Sequence, residues 1–280
     1  MTTMITEEKK SSFFTERFLI NKDNIKNEKK SRNLLRWQMV LLICLFLPVA
    51  FLFASMIAIV PVMIVTPDLN LTEQLDTNDI LEKIDVGLLL LSTIISELIL
   101  VGGYILFAKR NINISIKELL GFQNFNSKVF AYSGLIGIAL FFLLQLSATI
   151  VGMFSNDPVE SSDTSTSIYN SSGIMGIITL FLIVPLLAPI VEEILFRGVI
   201  LNGLSLGGVK NITAILISSF IFGIAHFQGM STVTDVFILV WISFMAFIQA
   251  IVFIKTKSIY NTMAIHVAYN SITAIAPLFF

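Results

Sequence analysis

Charged residues are scarce in this chain of 280 residues: Lys, Arg, Asp and Glu together make up 13% of it, whereas 55% of the residues are hydrophobic. A soluble globular domain carries about 25% charged residues, so the composition excludes an ordinary soluble protein. It predicts a polytopic membrane protein instead. The formal net charge of -1 gives no indication of a nucleic-acid partner, and we expect none.

Cysteine and histidine are also rare. The single cysteine, Cys44, lies within an apolar run. One cysteine excludes an intrachain disulfide and argues against a cysteine-based metal site, so we interpret Cys44 as a small core residue. The two histidines, His226 and His266, both lie in apolar segments that are otherwise uncharged.

Long apolar runs are what the sequence has in abundance. Seven uncharged or nearly uncharged stretches are long enough to cross a membrane, at about 17–25 residues per helix. The runs are unbroken rather than alternating, so they predict helices and not the strands of a barrel. The predicted fold class is an all-α polytopic membrane bundle. Its seven spans are expected at approximately 38–65, 86–108, 129–154, 173–199, 211–227, 236–254 and 258–279.

Three regions follow from this pattern. The polar, Lys- and Arg-rich residues 1–36 are too long and too mixed for a signal peptide, and they form a cytoplasmic segment. Residues 37–165 hold the first three helices with their loops, and residues 166–280 hold the remaining helices. Within the basic stretch 109–128 we expect a short interfacial helix, although a plain cytoplasmic connector fits equally well.

The distribution of positive charge predicts the orientation in a cell membrane. With the N-terminus in the cytoplasm, 17 of the 18 Lys and Arg residues fall in inner segments, and only Lys83 falls in an outer loop. This distribution agrees with the positive-inside rule. Seven spans then place the C-terminus outside.

Two adjacent carboxylates, Glu192 and Glu193, end the fourth apolar run. Ionisable groups are costly in hydrocarbon, so such a pair indicates a functional site. Glu193 and Arg197 are four residues apart, the spacing of an ion pair on one helix face. Glu192 then points about 100° away and is free to act as a general base. The alternative is that the doublet caps the cytoplasmic end of the span while Arg197 snorkels.

The histidines each have a neighbour one helical turn away. Phe222 can pack beside His226, and Asn270 lies on the same helix face as His266. A lone intramembrane histidine can also be a simple interhelical hydrogen-bonding group. We give that interpretation to the other isolated polar residues of the spans, which are Glu97, Gln145 and Gln249.

Two kinds of chemistry remain open for these groups. His226, His266 and Glu193 could bind zinc, since two histidines and a carboxylate are a known zinc ligand set. Zinc is the only cofactor we consider. Alternatively, a glutamate and a histidine activate water directly, and the second histidine and Asn270 donate to the developing oxyanion.

Glu192-Glu193-x-x-x-Arg197, Phe222-x-x-x-His226 and His266-x-x-x-Asn270, in this order and in apolar segments, resemble the motifs of the CPBP family. This family includes the type II CAAX prenyl endopeptidases and the bacterial Abi proteins linked to bacteriocin processing and self-immunity. The likeness covers about residues 170–275, so residues 166–280 would form the catalytic core.

The resemblance implies an intramembrane endopeptidase, a hydrolase that acts on a membrane-associated protein or peptide. By motif match, Glu192 and His226 would activate the water, and His266 with Asn270 would stabilise the oxyanion. Glu193 and Arg197 would support the site, and Phe222 would pack beside His226. The family is often described as metalloproteases, but we favour glutamate-activated water.

Two rival functions come from other classes. One is a non-catalytic interaction protein, such as a bacteriocin immunity factor or a partner of a membrane sensor. The other is a proton-coupled transporter with Glu97, Glu192 and His226 as a relay, against which the sequence shows no internal repeat. A bacteriocin leader, a pheromone precursor and a membrane regulator are compatible substrates, and a prenylated CAAX protein is implied only if the host makes one.

Overall fold

The structure is a computed structural model that describes residues 33–34, 86–111, 115–123, 125–155, 174–226 and 232–276. The predicted first span at 38–65 with Cys44, most of the segment 1–36 and the loop at 156–172 lie outside the described residues.

All regular elements in these ranges are helices, which confirms the predicted all-α class. We number them α1 (Val86–Asn111), α2 (Ile116–Leu120), α3 (Ser127–Ser155), α4 (Ile174–Ile178 continuing without a break to Asn202–Leu206), α5 (Asn211–Ala225), α6 (Val233–Thr256) and α7 (Ile259–Ile275). Every predicted span that falls in the described ranges corresponds to one of these helices.

Three of the described helices are long and apolar enough to cross a membrane: α3, the part Gly176–Leu206 of α4, and α6. Helices α5 and α7 have 15 and 17 residues, which is short for a span. Membrane insertion is thus supported by length and composition, while the count of seven spans stays a prediction.

Helix α4 is irregular on both sides of the glutamate pair. Its segments Thr179–Leu187 and Ile194–Leu201 are π-helical, and the α-helical segment Ala188–Glu193 lies between them. Two prolines, Pro185 and Pro189, lie in this region, and each lacks the N–H that an α-helix uses. Wider π turns are a common response to such an interruption.

The irregularity leaves one carbonyl without its usual partner. The Ala188 N–H donates to the Ile183 carbonyl, one residue further back than in an α-helix. The Val184 carbonyl therefore loses Ala188 as a donor, and Pro189 has no N–H to replace it. Instead, Asn270 Nδ2 of α7 donates to Val184 O at 3.1 Å. This bond ties α7 to the interrupted part of α4.

Helix α4 also runs further than predicted. The predicted span ends near residue 199, with the glutamates at the end of its apolar run. The helix continues to Leu206, so Glu192 and Glu193 lie near the middle of Gly176–Leu206. The prediction was wrong because Arg197 and its neighbours were read as the polar end of a span, whereas these residues are buried in the bundle.

The short helix expected within 109–128 is present as α2. The Ser115 side chain caps its N-terminus, and Gly121 ends it in the left-handed conformation with φ of 77°. Leu119 and Leu120 are buried, and Asn202 Nδ2 of α4 donates to the Glu118 and Leu119 carbonyls at 2.9 and 2.8 Å. Helix α2 is thus part of the bundle packing and more than a connector.

One end of the bundle carries most of the described basic residues. The turn after α2 meets the start of α7, where the Ile259 N–H donates to the Gly121 carbonyl at 2.9 Å. The ends of α1, α4 and α6 and the starts of α3, α5 and α7 belong to the connections on this side. These connections hold Lys109, Arg110, Lys117, Lys128, Lys210, Lys255 and Lys257.

Two helix pairs approach closely at glycines. A Cβ atom at Gly137 of α3 would overlap the Ile265 carbonyl of α7, and one at Gly223 of α5 would overlap Ser243 of α6. The first contact matters for function because Ile265 precedes His266. The position of α7, and with it His266, depends on the absence of a side chain at Gly137.

We expect Gly137→Ala to destabilise the protein by about 1–3 kcal/mol, because the added methyl group must push α3 and α7 apart. Gly134→Ala is the matched control, since a Cβ atom there meets nothing within 4 Å. It should be neutral or stabilising by up to about 1 kcal/mol through helix propensity. Thermal unfolding of the detergent-solubilised protein measures both. Equal stability of the two variants would contradict the close α3–α7 contact.

Candidate active site

Glu193 lies at the centre of a buried polar cluster. Its side chain is fully buried, yet both carboxylate oxygens have partners. Oε1 lies 2.9 Å from His266 Nδ1 of α7, and Oε2 lies 3.2 Å from Arg197 Nε on the next turn of α4. The predicted pair of Glu193 and Arg197 is therefore formed, and Glu193 also orients a histidine.

Arg197 is itself held on three sides. Its Nη2 donates to the Ala246 carbonyl of α6 at 3.2 Å and to Gln249 Oε1. Its guanidinium carbon lies 4.8 Å from the centre of the Phe222 ring of α5, in a cation–π contact. Arg197 is buried within the bundle and the helix continues beyond it to Leu206, so the helix-capping interpretation of the glutamate doublet does not describe this structure.

Glu192 faces the two histidines. His226 Nε2 lies 3.8 Å and His266 Nε2 lies 3.6 Å from Glu192 Oε2. Both distances are longer than a direct hydrogen bond. A water molecule between such groups is the usual way to connect them. The side chains of Glu192 and His226 are 16% and 34% exposed, so the space between them opens away from the buried Glu193.

The Nε2 atom of each histidine points towards this space because the Nδ1 atom is bound. His226 Nδ1 lies 2.9 Å from the Phe222 carbonyl, and the two rings pack with centroids 4.6 Å apart, as predicted. His266 Nδ1 faces Glu193 Oε1. Since both partners are acceptors, each Nδ1 must donate, and a neutral imidazole then presents a lone pair at Nε2.

Asn270 lies on the same face of α7 as His266, as the spacing predicts. Its Nδ2, however, donates to the Val184 carbonyl of α4. The structure thus gives Asn270 a bond to the backbone near the site, and its donation to an oxyanion stays a prediction.

The zinc set of His226, His266 and Glu193 does not fit this arrangement. Glu193 directs one oxygen to Arg197 and the other to the Nδ1 side of His266, away from the space where the Nε2 atoms meet. In the part of the chain that the structure describes, no three or more His, Cys, Asp and Glu side chains form a group that could hold a metal ion.

The three isolated polar residues of the predicted spans lie in three different surroundings. Gln249, expected only to make some interhelical bond, is fully buried and supports Arg197. Gln145 is exposed on α3 instead of lying at a helix interface. Glu97 lies beside α4 near Glu192. No local pattern could reveal the role of Gln249, because its partner is 52 positions away in the sequence.

Comparison with known proteins agrees with the motifs. Residues 174–272, about a third of the chain, match a family model described as type II CAAX prenyl endopeptidase Rce1-like. This range contains every residue of the cluster from Glu192 to Asn270. No curated protein and no solved structure matches the chain. The match confirms the predicted resemblance to the CAAX protease family.

Removal of one partner of the buried ion pair should destabilise the protein strongly. We expect Glu193→Leu or Arg197→Met alone to cost about 3–5 kcal/mol, because either change leaves one charge buried without its partner. The double variant should cost less than the two single variants added together. Unfolding in detergent measures each, with Lys210→Met at the exposed basic end as a control that changes stability by less than about 0.5 kcal/mol. Additive costs would show that the pair is not coupled.

Proposed function

We propose that this protein is an intramembrane endopeptidase that hydrolyses a peptide bond of a membrane-associated protein or peptide. The convergence of the two histidine Nε2 atoms on Glu192 Oε2 carries the proposal. Glu192 Oε2 and His226 Nε2 are acceptor atoms that meet in a partly open space, and a water molecule between them would donate to both. The match to the CAAX protease family supports a protease.

The chemical step begins with this water. Glu192 accepts one of its protons while the water oxygen attacks the carbonyl carbon of the substrate. The His226 Nε2 lone pair accepts a hydrogen bond from the second proton and so orients the water. His226 can do so because its own Nδ1–H is bound to the Phe222 carbonyl.

His266 would stabilise the negative charge that develops on the substrate oxygen. It lies between Glu193 at 2.9 Å and Glu192 at 3.6 Å. When its ring carries both protons, Nδ1 donates to Glu193 and Nε2 donates towards the oxyanion of the tetrahedral intermediate. Glu192 then returns its proton to the leaving amine as the C–N bond breaks. In this scheme Glu193 and Arg197 stay ionised and hold His266 in place, and Asn270 supports the oxyanion side.

The site would lie within a cell membrane. The basic connections at one end of the bundle support a cytoplasmic location for that end by the positive-inside rule. With the predicted span count, the N-terminus is cytoplasmic and the C-terminus lies outside. Glu192 lies about 20 Å along α4 from the end of the helix at Leu206, so the scissile bond would be cut at membrane depth.

The substrates that fit this site are peptide segments that can enter the membrane from the Glu192 and His226 side. A bacteriocin leader, a pheromone precursor and a prenylated CAAX protein all meet this requirement. Glu192→Gln should trap the substrate, because the amide keeps the shape of the side chain but cannot accept a proton. Mass spectrometry of what co-purifies with this variant, compared with wild type, identifies the substrate.

Loss of the reacting groups should abolish cleavage without loss of the protein. We expect Glu192→Gln, His226→Ala and His266→Ala each to lower the rate by about 10²–10⁴-fold, the usual contribution of a general acid or base. Cleavage of the trapped substrate in proteoliposomes measures the rate, and membrane yield shows that the variants insert.

Gln145→Ala is the matched control for these variants, since Gln145 is a polar residue of a span that is exposed and lies outside the cluster. It should cleave at the wild-type rate. Wild-type cleavage by all three site variants would contradict the peptidase proposal. A biological phenotype that persists in them would then favour a non-catalytic interaction or immunity protein.

A metal-independent mechanism makes a further prediction. Chelator treatment should leave the cleavage rate unchanged within about twofold, because the proposed steps use only side chains and water. Elemental analysis of the purified protein should find zinc well below one ion per chain. Stoichiometric zinc, together with activity that a chelator removes and zinc restores, would replace the glutamate mechanism with a metal mechanism.

A further inference from the structure

Glu97 is an acidic residue of the described bundle for which the scheme above has no role. It lies on α1 between buried apolar neighbours, with Ile94 on one side along the helix and Leu100 and Val101 on the other. Its Oε2 atom is fully buried and has no hydrogen-bond partner among the described residues. An orphaned carboxyl oxygen in apolar surroundings needs an explanation.

The groups that face Glu97 are few. Helix α1 packs against α4, whose titratable residues are Glu192, Glu193 and Arg197. Glu193 and Arg197 are bound to each other. Ile94, one turn before Glu97, packs with Ala188 and Val191 of α4, so Glu97 lies along the stretch of α4 that carries Glu192.

Helix α1 itself adds no cation near Glu97. Tyr104 lies two turns away with a buried hydroxyl that also has no partner, and Lys109 and Arg110 are exposed at the end of the helix. Within the described residues, Glu97 therefore has a carboxylate beside it and no positive charge to balance its own.

Two neighbouring carboxyl groups in an apolar interface do not both ionise readily, because each negative charge opposes the other and both lose hydration. Glu192 has two imidazoles within 4 Å and some exposure to solvent. Glu97 has neither. Nothing among the described residues compensates a negative charge on Glu97, so the neutral acid belongs there.

We propose that Glu97 is a positioning residue that keeps a proton and donates a hydrogen bond to Glu192, directly or through one water molecule. This inference rests on the proposed peptidase function for its catalytic consequence. The bond would hold the Glu192 carboxylate with Oε2 between the two histidines. The proton stays on Glu97 throughout the cycle, so hydrolysis neither consumes nor releases it.

The proposal has a defined pH dependence. As the pH rises and Glu97 loses its proton, the donor becomes an acceptor and a second negative charge faces Glu192. Cleavage should then fall on the alkaline side. Glu97→Gln has a permanent N–H donor of nearly the same shape. It should keep the wild-type rate at neutral pH within about threefold and lose this alkaline fall.

Glu97→Leu removes the donor and should lower kcat by about 10–100-fold with little change in KM, as expected for a hydrogen bond to a charged group. Rate profiles in proteoliposomes between acid and alkaline pH compare wild type with both variants. A Glu97→Gln variant that is as slow as Glu97→Leu, or that keeps the alkaline fall, would overturn the proposal. The Glu97→Gln variant tests the proposal even if Glu97→Leu does not insert into the membrane.

Infrared spectroscopy gives a readout that does not depend on catalysis. Wild-type protein should show the carbonyl stretch of a protonated carboxylic acid, which disappears in Glu97→Gln and shifts in Glu192→Gln. A spectrum of Glu97→Gln identical to wild type would overturn the inference. If instead wild-type protein cleaves no peptide while the infrared changes are present, the peptidase function fails and the protonated Glu97 stands.

Discussion

The structure depends on how it offsets the free energy cost of a charge inside an apolar bundle. Glu193 is fully buried, and it is compatible with that environment only because Arg197 and His266 contact its two oxygens. Arg197 needs partners in turn, and it finds them in Gln249 and in the Phe222 ring. A single buried carboxylate therefore connects α4, α5, α6 and α7. Exchange of any one partner would leave a charge or a polar group without compensation.

Glu193 and Arg197 form the buried part of the cluster, and they support the partly exposed part beside Glu192 and His226. Because Glu193 binds Nδ1 of His266, the Nε2 atom is turned towards Glu192, and the Phe222 carbonyl has the same effect on His226. The two adjacent glutamates thus differ in surroundings although they differ by one position in sequence. Glu193 is enclosed and contacts Arg197 and His266, and Glu192 is partly exposed beside the two histidines.

The irregular part of α4 also helps to position the cluster. Pro185 and Pro189 interrupt the α-helical bonding, and the carbonyl of Val184 that they release accepts a bond from Asn270. Helix α7 is therefore positioned at two heights on α4, by Asn270 and by His266. The close approach of Gly137 to α7 from the opposite side completes the support. Rigid placement of His266 follows from contacts that lie outside the reacting groups.

The sequence by itself determined the helical class, the pairing of Glu193 with Arg197 and the packing of Phe222 on His226, because these depend on residues one helical turn apart. It also pointed to polar residues that the structure brings together, since each is costly in an apolar segment. Tertiary structure alone decided the full length of α4, the partner of Asn270, the support from Gln249 and the packing of α1, which carries Glu97, against α4. These features join residues far apart in the chain, and only the packing of helices sets which faces meet.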